Sequence, residues 1–384
     1  MTDVCFYFQA HQPLRLKKFS FFDIGKQKDY FDRAKNKEVL ERVVRKCYLP
    51  ANKLILKLIN DSNGAFKVNY SITGILLEQL EECSPESIES FQALVDSGYC
   101  ELFNETYYHS LSWLVSEKEF SEQIKLHKKK VKELFGVKPK VFRNTESMYS
   151  DKIAETAKKL GFKGIVCEGT EKILGWRSPN YVYRAPSGIG LLTRNYKLSD
   201  DIAFRFSERK WNEYPLTSEK FASWINASQG HCVNLFLDYE TFGEHQWPET
   251  GIFKFLSCLP KEILARGDGF ATATELIGKH KEAEKISVPE IISWADTDRD
   301  LSAWLENGMQ NQAFTELKSL EGKLKGEKLE NWRKLQISDH FYYMCTKWFS
   351  DGDVHKYFNP YENPYDAFIN YMNVLTDLKQ KTEF

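Results

Sequence analysis

From its first residues the chain alternates between short apolar runs and longer stretches in which apolar positions recur every three or four residues. The short runs lie at 4–8, 66–72, 98–105, 140–146, 162–168, 189–193 and 233–238; they have strand length and most end in polar or acidic residues. Between them the spacing is helical. Val39, Leu40, Val43 and Val44 are followed by Leu54, Ile55, Leu58 and Ile59, with Pro50 at a break or in the first turn of a second segment. Further helices are predicted over 75–82, 84–97 (opening on Ser84 and Pro85), 117–135 (closed by Gly136), 150–160 and 218–226. Strand, helix, strand, helix to about residue 275 is the pattern of a parallel α/β barrel, with seven strands in place of the common eight.

Beyond residue 279 the pattern changes. A charged stretch at 279–285 leads into helical spacing over 300–322, 327–348 and 366–379. The expected organisation is therefore a catalytic barrel over 1–280, followed by a helical domain over 281–384 that packs on it and completes the cleft. Residues 19–30 are aromatic and charged without a period and read as a loop or lid over the site.

In parallel α/β proteins the loops at the carboxyl ends of the strands build the active site. Two runs end there in carboxylates far apart in sequence: Asp238 with Glu240, and Glu146. Such a pair suits a reaction that needs one acid and one base or nucleophile. The plainer reading makes each a helix cap or a partner of Arg143. His11 and Gln12 precede Pro13, which stops the first strand and projects them from its end. Glu101 sits mid-strand, where an acid facing a barrel interior needs a partner. His109 lies in a polar, aromatic loop, Glu168 ends the fifth strand, and Trp294, Asp296, Trp304, Asn307, Gln310, Asn311, Asp339 and His340 concentrate in the C-terminal part.

Composition narrows the function classes. With 42% hydrophobic residues among 384, a substantial core can form. A formal net charge of -1 gives no reason to expect nucleic acid or an anionic membrane as partner. The 8 cysteines are scattered without a CxxC pair, which argues against a structural zinc site and against a disulfide framework. No apolar run reaches membrane-spanning length and no leader precedes the first strand, so a cytoplasmic location is expected. The 9 Trp and 19 Tyr offer faces on which sugars stack, a weak lean toward carbohydrate. No pattern specifies an oligomeric state.

Taken in order, the motifs resemble glycoside hydrolase family 57, the retaining α-amylases, glucanotransferases and related α-glucan enzymes. His11-Gln12-Pro13 is similar to the first family motif and residues 98–102, with Glu101, to the second; Glu146 matches the third, Asp238 with Tyr239, Glu240, Phe242 and Gly243 the fourth, and residues 304–314 the fifth. The resemblance implies a (β/α)7 barrel with a helical domain, Glu146 as nucleophile, Asp238 as general acid/base, an α-glucan or maltooligosaccharide substrate, and no metal or other cofactor. The glucanotransferase branch carries tryptophans where this chain has Arg143 and His245, which places the chain nearer the α-amylase branch. His11, Gln12, Glu101, His109, Arg143, Glu240, His245, Trp247, Trp304 and Gln310 are then the expected substrate-binding residues, with Arg143 also a candidate to hold Glu146 ionised.

A retaining glycosidase holds its two carboxyl groups about 5–5.5 Å apart across the scissile bond. Two other classes use similar barrels. A metal-dependent hydrolase, such as a polysaccharide deacetylase or a zinc α-mannosidase, could draw ligands from His11, Asp238 and His245, but the chain has no HxxxH or HxH pair. A non-catalytic glucan-binding protein would bind without cleaving. Within the first class, 4-α-glucanotransferase or branching activity differs only in the acceptor.

Overall fold

The structure, a computed structural model, describes residues 2–26, 29–281, 283–347 and 359–381. All seven expected strands form: β1 (Asp3–Ala10), β2 (Val68–Ile72), β3 (Cys100–Leu102), β4 (Val141–Arg143), β5 (Gly164–Glu168), then, after a short β6 (Val182–Arg184), β7 (Gly190–Arg194) and β8 (Cys232–Asp238). A two-residue β9 (Gly269–Phe270) follows. The ladder hydrogen bonds fall into two sheets, ordered β3-β2-β1-β8 and β4-β5-β7-β6. All pairings are parallel except that of β6 with β7. The sheets meet at two seams. Asn104 N donates to Val141 O (2.9 Å) and Arg143 N to Asn104 O (2.8 Å) beyond β3, while Asn195 N donates to Asn234 O (2.9 Å) between β7 and β8. Seven parallel strands thus surround one interior, the (β/α)7 architecture.

The pleat decides what faces that interior. Along β8, Cys232 and Phe236 join Cys5, Tyr7, Val141, Val166 and Leu192 in the inner cluster, whereas Val233, Leu235 and Leu237 pack outward against the helices. Each such apolar side chain contributes about 1.5–3 kcal/mol when fully buried. The same period of two carries Asp238 to the inner face at the mouth, and likewise Arg143, Glu168 and Arg194 on β4, β5 and β7.

The helices follow the predicted spacing closely. Residues Glu117–Phe135 end at Gly136 in the left-handed conformation (φ 71°), and Ser150 caps Asp151–Lys159. The segment around Pro50 is one bent element, with a wider turn at Val44–Tyr48 between Arg33–Val43 and Leu49–Asp61. That wide turn requires Gly243. The loop after β8 runs against it with Gly243 at φ 108°, and a Cβ there would sit 2.0 Å from Lys46 O. We expect Gly243→Ala to destabilise the fold by about 2–4 kcal/mol. Calorimetry checks this, and a loss below about 0.5 kcal/mol, the ordinary surface value, contradicts it.

The C-terminal part differs from expectation in two of its helices. The predicted helix over 300–322 is two, Ser302–Leu305 and Gly308–Ser319, because Asn307 caps the second with its side chain. The predicted helix over 327–348 breaks after Gly326–Lys334 and resumes as Ser338–Tyr342; Trp348 lies outside the described residues. The break occurs where the backbone turns to bind the barrel: Leu111 N donates to Gln336 O and Ser338 N to His109 O. None of the described residues of the stretch 19–30, expected as a loop or lid, lines the cleft. Phe19 N bonds Asn370 and Tyr30 Oη bonds Asp377, fastening its described residues to the helix Pro364–Gln380. Residues 286–292 remain on the barrel, with Ile286, Val288 and Ile292 in its flanking cluster, and a separate apolar cluster packs the helices from Ala303 onward against Leu16, Phe19, Leu111 and Met148. Among the described residues no helix is long and apolar enough to cross a membrane.

Candidate active site

Glu146 follows β4 in a tight turn, Thr145–Ser147, started by Asn144 accepting from Thr145 N (2.9 Å). Glu146 and Ser147 both hold left-handed backbone (φ 54° and 51°), an unfavourable conformation for side-chain-bearing residues that clusters at functional sites. The turn aims the Glu146 carboxylate at three donors. His109 Nε2 (3.1 Å) and Ser338 Oγ (3.0 Å) meet Oε1, and Trp294 Nε1 (2.9 Å) meets Oε2. His109 is itself held between Glu146 and Glu105, the latter at 3.4 Å from Nδ1 and bonded by Gln9. Burial disfavours the imidazolium, yet the hydrogen bonds to Glu105 and Glu146 outweigh it and raise the His109 pKa to about 9.

The His11 ring stacks on His109 at 4.1 Å. Its Nδ1 meets Thr73 Oγ1 (3.0 Å) and its Nε2 meets Asp339 (3.2 Å). Burial, and then the neighbouring His109 charge, lower the His11 pKa, so the neutral ring with the proton on Nε2 suits both partners. His11 N also donates to Glu240 Oε1 (3.2 Å), which accepts from Tyr48 Oη as well. Glu240 is buried beside Asp238; burial first and that charge second raise its pKa to about 8. Being neutral in the folded state above the ordinary glutamate range, Glu240 makes stability fall with pH from about 4.5 to about 8. Glu240→Gln should flatten that fall, which is at most about 1.4 kcal/mol per pH unit. Melting curves at several pH values measure it, and an unchanged slope in the variant would contradict the assignment.

One cleft at the mouth of the barrel is lined by Glu146, Asp238, His11, Gln12, His109, Glu240 and His245. These seven expected residues are brought together. The other five are not. Glu101 faces the barrel interior at its far end, where its carboxylate accepts from Thr274 N (2.9 Å) and Thr274 Oγ1. Glu105, two pleats further along the same segment, is the buried acid that meets His109. Arg143 is fully buried beneath Trp294, with its guanidinium carbon 4.5 Å from the ring centre, and makes no ion pair with Glu146. Trp304 lies in the core of the C-terminal helices. Gln310 is buried there too, tying Ala303 O (2.9 Å) and Phe341 O (3.1 Å) together. Trp247 is half exposed outside the cleft lining, with Lys46 over its ring.

The structure adds residues that strand-end reasoning passed over. Trp294, Asp296, Asp339 and Tyr342 line the cleft from the C-terminal part. Trp294, Asp296 and Asp339 belong to the polar and aromatic concentration visible in the sequence, but nothing local says which of its members turn inward. Arg194, Asp200 and Arg299 line the same cleft beside Trp294. Arg194 bridges Glu168 (3.0 Å) and Asp200, and Arg299 meets the same two acids at 3.3 and 3.5 Å. Glu168 is thereby a buried ion-pair partner and not a free carboxylate. Among the described residues no three His, Cys, Asp or Glu side chains come together as metal ligands.

The sequence profile of glycosyl hydrolase family 57 matches residues 5–289. A Methanocaldococcus jannaschii protein named "Putative alpha-amylase" is 47% identical over 397 residues, covering 98% of this chain and 84% of that protein. Among solved structures, a GH57 branching enzyme from Thermococcus kodakaraensis superposes with a TM-score of 0.68 at 14% identity, over 100% of this chain and 94% of that one. A 4-α-glucanotransferase from Thermococcus litoralis gives 0.56 at 19% identity over 89% of this chain, which spans only 48% of that enzyme. At these identities the structural likeness speaks for the fold; the profile and the close relative speak for descent. The chain belongs to glycosyl hydrolase family 57 and is a glycoside hydrolase on that family's (β/α)7 barrel.

Proposed function

We propose that the protein is a retaining α-glucan hydrolase of the α-amylase type, with Glu146 as nucleophile and Asp238 as general acid/base. The observation that carries this reading is the set of three donors converging on Glu146 in the cleft that Asp238 also lines. Such a grip fixes both oxygens of an attacking carboxylate and leaves the carboxyl on the opposite strand end for proton transfer. Glu146 attacks the anomeric carbon while Asp238 protonates the departing glycosidic oxygen, giving a β-glucosyl ester. Asp238, now a carboxylate, deprotonates water, which releases the sugar with its α configuration. The reading of α-glucan as substrate draws on the relative named for amylase activity and on the motif pattern. On the same reading the C-terminal helices complete the cleft by supplying Ser338, Asp339 and Tyr342.

Transglycosylation shares every step up to the ester and differs only in whether water or a sugar hydroxyl arrives next. The test is incubation of the EDTA-treated protein with maltoheptaose, following products and anomeric configuration by NMR. Shorter α-configured sugars support the proposal, and longer products beside them show transfer. β-configured first products, or activity that returns only with added zinc, would sink it.

A further inference from the structure

Arg143 is the most unusual buried group in the barrel. Its side chain is fully enclosed, and none of its three guanidinium nitrogens has a hydrogen-bond partner among the described residues. It is inward-facing on β4, three residues before Glu146, yet it is separated from the cleft by the Trp294 indole. The guanidinium carbon lies 4.5 Å from the ring centre, and the Arg194 guanidinium carbon is 5.7 Å from the same centre. The indole N–H, in turn, is the donor to Glu146 Oε2 at 2.9 Å. Trp294 is further fixed to the same residue by its backbone N, which donates to Glu146 O (3.1 Å), and Arg299 Nη1 bonds Trp294 O.

We propose that Arg143 is a positioning residue that acts on Glu146 through Trp294, holding the indole by its face and strengthening its N–H as a donor to the nucleophile's carboxylate. The physical basis is twofold. A cation against the face of an indole is attracted by the ring's negative quadrupole, most strongly when water is excluded. It also draws electron density from the ring, so the Nε1–H bond becomes more polar and its hydrogen bond to a carboxylate stronger. A guanidinium satisfied by a ring face needs no direct ion pair with Glu146, and so leaves that carboxylate's attacking geometry unconstrained on the barrel side. This role rests on Glu146 being the nucleophile.

The experiment is a double-mutant cycle of Arg143→Met and Trp294→Phe, read by kcat and KM on maltoheptaose and by the 15N–1H resonance of the Trp294 indole, which is assigned from its loss in Trp294→Phe. Each single change should lower kcat about 10- to 30-fold with KM little altered, and the double variant should be no slower than the worse single one. The indole proton of the wild type should lie far downfield and move upfield in Arg143→Met. Losses that multiply, or a fall expressed in KM alone, overturn the relay. The NMR arm is independent of substrate: an indole resonance unmoved by Arg143→Met refutes the proposal even if maltoheptaose is not cleaved, whereas an upfield shift without any cleavage upholds the contact and refutes only the glucan reading. Should Arg143→Met fail to fold, Arg143→Lys replaces it. The compact ammonium covers the ring less well, so an intermediate shift and intermediate kcat are expected, and values equal to wild type in both would refute the relay.

Discussion

Glu146→Gln is expected to reduce kcat on maltoheptaose by about 10⁴-fold or more, the scale at which removal of a covalent nucleophile is felt in enzymes. The substitution keeps the size of the side chain and one oxygen, which can accept from His109 and Ser338 while the amide NH2 takes the place of the oxygen that meets Trp294, so the fold should be retained with the loss of that one hydrogen bond. Asp238→Asn should cost comparably on maltoheptaose, because it removes both the proton given to the leaving oxygen and the base for the second step. The two are separated with an activated substrate, an α-maltosyl fluoride, in the presence of azide. In Asp238→Ala fluoride departs without an acid, and azide intercepts the ester to give the α-azide. In Glu146→Ala azide enters the vacated face directly and gives the β-azide. The same anomer from both variants would mean that the roles are wrongly divided.

The second large effect falls on His109. Its pKa is raised to about 9, so below the ordinary histidine pKa of about 6.5 its ion pairs stabilise the fold fully, and the contribution is lost as pH rises through about 9. The cation is one of the three donors to Glu146, and its loss weakens the grip on that carboxylate, the proposed nucleophile. Wild-type kcat should therefore decline above about pH 9. His109→Gln should lower kcat about 10²-fold at neutral pH, the scale of removing one preorganised charged donor, and abolish that alkaline decline. Should the decline persist unchanged in the variant, another group governs it and the role assigned to His109 is wrong.

These effects trace back to residues of different legibility. Glu146, Asp238, His11 and Gln12 were readable because each ends a strand, and a parallel barrel converts strand ends into one shared mouth. His245 and Glu240 follow from Asp238, since the loop that carries them is short and is held by Gly243 against the turn at 44–48. Glu101 shows where local reading stops. Facing the barrel interior is a matter of pleat, but depth along the axis is a matter of register with β2, and only that register puts Glu105 against His109 and Glu101 beside Thr274.

The alternation of strand and helix, the seven strands, the helix ends at Gly136 and Ser150, and the two carboxylates were determined by the sequence alone, because they rest on periodicity and on residues with strong local preferences. What the tertiary structure decided is everything that requires two distant segments to meet. A helical pattern over 327–348 carries no sign that it will break where Gln336 and Ser338 bond the barrel loop, yet that break delivers Ser338 to Glu146. Nor does any local rule distinguish Trp294, which reaches Glu146, from Trp304, which fills a core. Arg143 looked like a direct ion-pair partner for Glu146 by its spacing, and the packing of Trp294 between them makes the contact indirect. Spacing along the chain fixes which face a side chain occupies; which neighbour covers that face is set by long-range packing, and the chemistry of the cleft depends on both.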